Sequence, residues 1–189
     1  MVTKDNISLE QSILRIAHAQ LQLSNMQTAL TVAILVKDYL MVGHVGNCRL
    51  YRVRNNHIDL LTKDHTIAND LLQSHVVSPE EAWQHPGRYQ LTRSVGAKPF
   101  LHIDLTREEM VKGDSYLLCS DGLWANVLHD DIAIVVQRSD TGTACEELIE
   151  LALRAGAQDD VTAIVFRVIS VPAKRPAPSF SWRGVPAGK

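Results

Sequence analysis

Long apolar runs, a surplus of charge of either sign and pairable cysteines are all missing from this 189-residue sequence. No apolar stretch approaches the roughly 18–20 residues that a bilayer-spanning helix needs, so no membrane partner is expected. The net charge of −2 offers no electrostatic case for nucleic acid or for an anionic lipid surface. The opening Met1-Val2-Thr3-Lys4-Asp5-Asn6 lacks the basic and apolar regions of a signal peptide. Cys48, Cys119 and Cys145 are odd in number and share no metal-type spacing, which argues against a disulfide framework. Each reads as a small buried apolar residue, and a reducing, cytoplasmic location is the expectation. None of the eight histidines pairs at helical i, i+4 spacing or with a nearby cysteine, so a zinc site is not expected. What is present is 46% apolar residues, enough for one domain with a sizeable core.

Periodicity divides the chain. Leu9, Ile13, Ile16, Ala17 and Leu21 recur at helical spacing and predict a helix over about 9–23 with these five on one buried face. The period then changes, and Thr28–Val36, Tyr39–Val45, Cys48–Arg54 and His57–Leu61 read as four strands in series. The breaks at Lys37-Asp38, Gly46-Asn47 and Asn55-Asn56 suit two-residue hairpin turns, so an antiparallel meander is predicted. The run from Thr28 to Val36 has almost no polar alternation, as in a central strand covered on both faces. From Thr66 to about Tyr89 the pattern is helical and more polar, with Ser78-Pro79-Glu80-Glu81 as a capping box. Further strands are expected at Leu101–Leu105, Ser115–Cys119 and Val161–Val168. Helices are expected near Asp130–Arg138 and Thr143–Ala155, the second stopping at Gly156. Residues 1–169 thus form the domain. Residues 170–189, rich in proline and basic side chains such as Lys174 and Arg175, read as a disordered tail; docking through Phe180 and Trp182 is the less favoured alternative.

Two acidic positions stand out by where they sit. Asp121 follows a short apolar strand, in Leu117-Leu118-Cys119-Ser120-Asp121-Gly122. Asp159 and Asp160 precede another, in Ala157-Gln158-Asp159-Asp160-Val161-Thr162. If the two strands pair antiparallel, the end of the first lies beside the start of the second, and the carboxylates meet at one sheet edge. Carboxylates that close repel one another unless a cation lies between them. Hard oxygen donors of this kind suit Mg²⁺ or Mn²⁺. From spacing alone, however, Asp-Gly after a strand and Asp-Asp before one are each more often simple turns.

Several segments together resemble the PPM family, the PP2C-type protein Ser/Thr phosphatases, in its bacterial form. His44-Val45-Gly46-Asn47-Cys48-Arg49-Leu50-Tyr51 is similar to the family's H-V-G-D-S-R-x-Y hairpin. Leu61-Thr62-Lys63-Asp64-His65 matches L-T-x-D-H, and Leu91-Thr92-Arg93-Ser94-Val95-Gly96 resembles L-T-R-A-[LI]-G. Leu118-Cys119-Ser120-Asp121-Gly122-Leu123 is the family's L-C-S-D-G-L, the most specific of the set. Gln158-Asp159-Asp160-Val161-Thr162 resembles x-D-N-[IV]-T. The resemblance implies an α+β, PP2C-like sandwich of two antiparallel sheets flanked by helices. It also implies two Mn²⁺ or Mg²⁺ ions that activate a water for hydrolysis of phosphoserine or phosphothreonine in a phosphoprotein, such as a Ser/Thr kinase or its targets. By motif position Asp121 and Asp159 match metal ligands. Asp160 stands where the family usually has Asn. Asn47 stands where it has an Asp linked to an additional metal, so both are possible accessory residues.

The family's opening Arg…Asn-Glu-Asp segment and its Asp-Gly-Met-Gly-Gly-His loop do not occur, and Met26-Gln27-Thr28-Ala29 replaces the usual Gly-[ST]-T. The chain therefore reads as an N-terminally truncated domain lacking its first strands and further metal carboxylates. Three explanations stay open: an upstream start, a second chain that completes the sandwich, or a catalytically inactive relative that binds a phosphoprotein or kinase. A cysteine phosphatase using Cys119 is disfavoured, because Ser-Asp-Gly-Leu-Trp-Ala follows it and provides no arginine-bearing phosphate loop. His44 and His65 receive no proton-transfer role. Arg49 and Arg93 read as structural partners of turns and carboxylates.

Overall fold

A computed structural model describes residues 8–172, and the helical stripe at its start forms the expected helix, α1 (Leu9–Leu23), but buries another face. Leu9, Ile13 and Ile16 are exposed, and Glu10, Leu14 and His18 are buried, because Leu14 is the side chain turned onto β2 (Tyr39–Val45). The residues expected to form the tail beyond 172, Lys174, Arg175, Phe180 and Trp182 among them, lie outside the described residues. Val171, past the expected boundary at residue 169, packs against the inter-sheet core.

Four strands follow α1 as β1 (Leu30–Val36), β2 (Tyr39–Val45), β3 (Arg49–Arg54) and β4 (His57–Leu60). They are not one meander. β1 and β2 form a hairpin, as do β3 and β4, but Gly46-Asn47 carries the chain from one sheet to another. The physical reason is that both edges of β2 and of β3 are already taken. β2 lies between β1 and β5 (Asp104–Glu109), and β3 lies between β4 and β6 (Ser115–Cys119). Gly46 makes the crossover at φ +107, where a Cβ would stand 2.4 Å from that of Ala29. The Asn55-Asn56 turn behaves as predicted, with both residues at positive φ.

β1 also departs from expectation. Leu30 and Val32 pack toward α1, and Ala33 packs toward the other sheet, so both faces meet apolar side chains, which accounts for the missing alternation. Yet it is an edge strand in the order β1-β2-β5, and Leu35 and Val36 are exposed. β5 starts at Asp104, not Leu101. Leu101 and Ile103 lie before it and pack beneath α1. Its polar Thr106-Arg107-Glu108-Glu109 forms a strand because the ladder from β2 supplies partners, from His44↔Asp104 to Tyr39↔Glu109. Arg52 pairs with Glu108, and Arg107 lies 3.5 Å over the ring of Tyr39.

The polar stretch after β4 holds α2 (Ile67–Gln73) and α3 (Pro79–Gln84), the latter entered through the expected capping box of Ser78 and Glu81. β6 leads into a short helix, α4 (Asp121–Trp124), so Asp121-Gly122 opens a helix and is not a simple turn. α5 (His129–Arg138) and α6 (Thr141–Arg154) come next. The second starts two residues earlier than Thr143 because the Asp140 carboxylate accepts from Gly142 and Thr143 N–H. β7 (Ala163–Arg167) closes the sheet β4-β3-β6-β7.

Three clusters of buried side chains define the layers. Leu14 of α1 meets Val45 and Val95. Leu40 and Val42 of one sheet meet Leu50 and Tyr116 of the other. Tyr51, Leu117 and Cys119 meet Ile132, Val136, Leu148 and Ala152 of α5 and α6. The result is a helix–sheet–sheet–helix sandwich, α+β, as the resemblance implied. Each fully buried leucine in these clusters contributes about 1.5–3 kcal/mol.

Candidate active site

The site is built at one end of the antiparallel pair β6–β7. Cys119 is in register with Ala163, so the chain leaving β6 passes beside the chain entering β7. Ser120 staples the two segments. Its N–H donates to the Thr162 carbonyl at 3.1 Å, and its Oγ donates to the Asp160 carbonyl at 2.8 Å while accepting from the Thr162 N–H at 3.0 Å. Gly122 lets them close up, since a Cβ there would come within 2.6 Å of the Asp160 carbonyl oxygen. In the sequence Ser120 reads only as part of the Leu-Cys-Ser-Asp-Gly-Leu motif. Its signal was a hydroxyl at a strand exit, able to donate and accept together.

Asp121 and Asp159 consequently line one cleft of about 420 Å³, together with Arg88, Tyr89, Asn126 and Gln158. Asp121 Oδ1 accepts from the Gly122 N–H at 3.0 Å, and Oδ2 accepts from Asn47 Nδ2 at 2.8 Å. Asp159 Oδ1 accepts from the Asp160 N–H at 2.8 Å. Asp160 is exposed, and its part in the staple is played by its main-chain oxygen; its side chain is not in the cleft lining. Asn47 is buried and touches Asp121 as a donor.

Behind the cleft lies a buried ionic clamp. Arg49 forms a forked pair with Asp64, at 3.0 Å from Nε and 2.7 Å from Nη2. The guanidinium carbon sits 3.5 Å over the ring of Trp124, whose indole N–H donates to the Asn47 carbonyl at 2.9 Å. Arg49 also donates to the Tyr51 hydroxyl. Arg93 pairs with Asp104, so both arginines serve carboxylates as expected. Nothing in the spacing of Arg49 revealed Trp124 as its second partner, because that contact joins β3 to α4.

His44 and His65 form a separate buried pair, with ring centroids 4.9 Å apart. His44 Nε2 donates to the Lys63 carbonyl, so Nδ1 accepts from the Thr31 hydroxyl. Burial, and then the neighbouring His65, push the His44 pKa down to about 4. His65 Nδ1 accepts from the Gly46 N–H, which leaves Nε2 to donate to Asp104. Neither ring lines the cleft. Burial pushes the Cys119 thiol up in pKa, which removes it as a thiolate nucleophile.

The donor set suits a hard divalent cation, with two carboxylates on one open cleft. Among the described residues, however, no group of three or more His, Cys, Asp or Glu side chains could hold a metal. Asp121 and Asp159 thus place two carboxylates on one cleft without completing a cage. No helix of the described residues is long and apolar enough to cross a membrane.

No family model matches the chain. It is 36% identical over 147 residues to the serine/threonine protein phosphatase PstP of Mycobacterium tuberculosis H37Rv, covering 78% of this chain and 28% of that one. It is 28% identical over 163 residues to the serine/threonine phosphatase stp of Listeria welshimeri, covering 86% and 65%. The chain therefore spans less than two thirds of either relative. The solved catalytic domain of a serine/threonine protein phosphatase PstP, in complex with two manganese ions, superposes with a TM-score of 0.74 at 30% identity, covering 90% of this chain and 74% of that one. Motif order, the two stacked sheets and this breadth of likeness to a solved phosphatase agree, and the chain belongs to the PPM (PP2C-type) family of Ser/Thr protein phosphatases in its bacterial form.

Proposed function

We propose that this chain contributes to a metal-dependent phosphatase that hydrolyses phosphoserine and phosphothreonine in protein substrates, with Asp121 and Asp159 as ligands to Mn²⁺ or Mg²⁺. The observation that carries it is the convergence of these two carboxylates on one cleft, forced by the β6–β7 register and the stapling at Ser120 and Gly122. A divalent ion supplies a bound water acidic enough to act as a nucleophile near neutral pH. The rest falls to the protein. Asp121 and Asp159 present oxygen to the ion, and Arg88, stacked 4.5 Å over Tyr89 on the same cleft, brings positive charge to a phosphoryl group. Two divalent ions carry four positive charges and the two carboxylates offset two, so a two-ion site needs donors from outside this set. Asp160, exposed beside the cleft, is an accessory charge in this reading.

The test is phosphate release from a phosphothreonine peptide with added Mn²⁺. It is run on this chain and on the product of the longest in-frame reading frame that contains it. Release that requires Mn²⁺ and falls by about two orders of magnitude or more in Asp121→Asn is expected. Undiminished release in that variant, or a phosphopeptide that binds and is never cleaved by either product, would overturn the reading.

A further inference from the structure

Asn47 is held at both ends. Its side-chain nitrogen stands 2.8 Å from Asp121 Oδ2, and its carbonyl accepts from the Trp124 indole at 2.9 Å. A carboxylate oxygen can only accept, so the amide must turn its NH₂ toward Asp121. That nitrogen has no lone pair free for a cation. The group facing Asp121 is therefore a hydrogen-bond donor. Trp124 lies three residues beyond Asp121 in the same short helix, and its ring is pressed under Arg49, which Asp64 grips with two bonds. The crossover between the sheets and the helix that carries Asp121 are thereby tied through a buried set of side chains.

We propose that Asn47 is a positioning residue for Asp121, backed by Trp124, Arg49 and Asp64, an inference that rests on the proposed role of Asp121 as a divalent-ion ligand. With Oδ1 engaged by the Gly122 N–H and Oδ2 by Asn47, each carboxylate oxygen has one acceptor direction committed. The remaining direction on each is free for a cation, and the carboxyl rotor is set before an ion arrives. Hydrogen bonds that orient a ligand in this way are typically worth about 10–100-fold in metal affinity. Trp124 acts one step further back, so its loss costs less.

The experiment titrates the full 189-residue chain with Mn²⁺ alone and follows the free-ion signal by electron paramagnetic resonance. Asn47→Leu, similar in volume but without the donor, is expected to weaken binding by about tenfold. Trp124→Phe, which keeps an aromatic ring under Arg49 but loses the indole N–H, is expected to weaken it by about threefold, on the scale of one neutral hydrogen bond. Asn47→Asp sets a second carboxylate at the same short distance. Its metal-free melting temperature should fall below the parent's, and Mn²⁺ should raise it by more than it raises the parent's. Parent-like affinity in both Asn47→Leu and Trp124→Phe would overturn the proposal.

A metal-free double-mutant cycle of Asn47→Ala and Asp121→Ala separates this proposal from the functional reading beneath it. If the parent binds no Mn²⁺, or Asp121→Asn leaves binding unchanged, the metal role of Asp121 fails. The positioning contact then still stands or falls on the cycle. Non-additivity of about tenfold in the folding equilibrium supports it, as for a hydrogen bond to a charged group, and additivity within error overturns it.

Discussion

Adding one methyl group at Gly122 tests the geometry on which the site depends. An alanine Cβ there would come within 2.6 Å of the Asp160 carbonyl oxygen and 3.0 Å of the Asp159 carbonyl oxygen. Both are main-chain atoms, and the first is also pinned by Ser120 Oγ at 2.8 Å, so no flexible side chain can swing aside. Gly122 lies in the helix α4, where alanine is favoured over glycine by up to about 1 kcal/mol. Overpacking of this kind costs about 1–3 kcal/mol. If the loop retreats, the Ser120–Asp160 hydrogen bond is lost as well, for about 1 kcal/mol more. The steric term wins, and Gly122→Ala should lose about 1–3 kcal/mol net. At about 2–4 °C per kcal/mol for a chain of this size, the melting temperature should fall by about 2–12 °C. Urea unfolding in chelator-treated buffer, free of any metal contribution, measures the loss directly. A variant as stable as the parent would refute the close approach of the two segments, and with it the reason for placing Asp121 and Asp159 on one cleft.

Two further outcomes are expected. The His44 pKa is depressed from 6.5 in the unfolded chain to about 4 in the fold, so this residue stabilises the protein fully above about pH 6.5 and progressively less as pH falls toward 4. The contribution at stake is about 3 kcal/mol. His129, lowered by burial and then by Arg49, adds to the same slope, so the difference between parent and His44→Gln unfolding midpoints from pH 4 to 7 isolates the His44 share. A slope unchanged by the substitution would refute this assignment. Arg49→Leu strands the Asp64 carboxylate, whose side chain is 8% exposed, and should cost about 3–5 kcal/mol by urea unfolding. The double replacement Arg49→Leu/Asp64→Leu should cost less than the sum of the single replacements, and a loss below about 1 kcal/mol for Arg49→Leu alone would show that the clamp is not a buried pair.

Much of this protein is local and therefore readable in one dimension. The existence of α1, though not its buried face, follows from the spacing of its apolar residues, the Asn55-Asn56 hairpin from two residues that tolerate positive φ, and α3 from the Ser78–Glu81 box. The meeting of Asp121 and Asp159 follows from strand polarity once β6 and β7 are taken as antiparallel neighbours, because adjoining ends of such a pair must lie together. The five motifs, in order, supplied the family. Tertiary structure alone decided which strands share a sheet. β2 and β3 are separated by three residues and both read as strands, but each finds its second neighbour, β5 or β6, some sixty residues on, and no local pattern encodes that choice. Packing likewise decided that β5 begins at Asp104, since an edge strand of polar residues is held by its ladder and not by its own alternation. The role of Asn47 was equally out of reach. From its motif it is a weakened metal residue, and only the fold, by setting its amide against Asp121 and its carbonyl against Trp124, makes it a donor that holds a carboxylate in place. A residue type specifies what bonds are possible, and the distance to a partner far along the chain selects the one that forms.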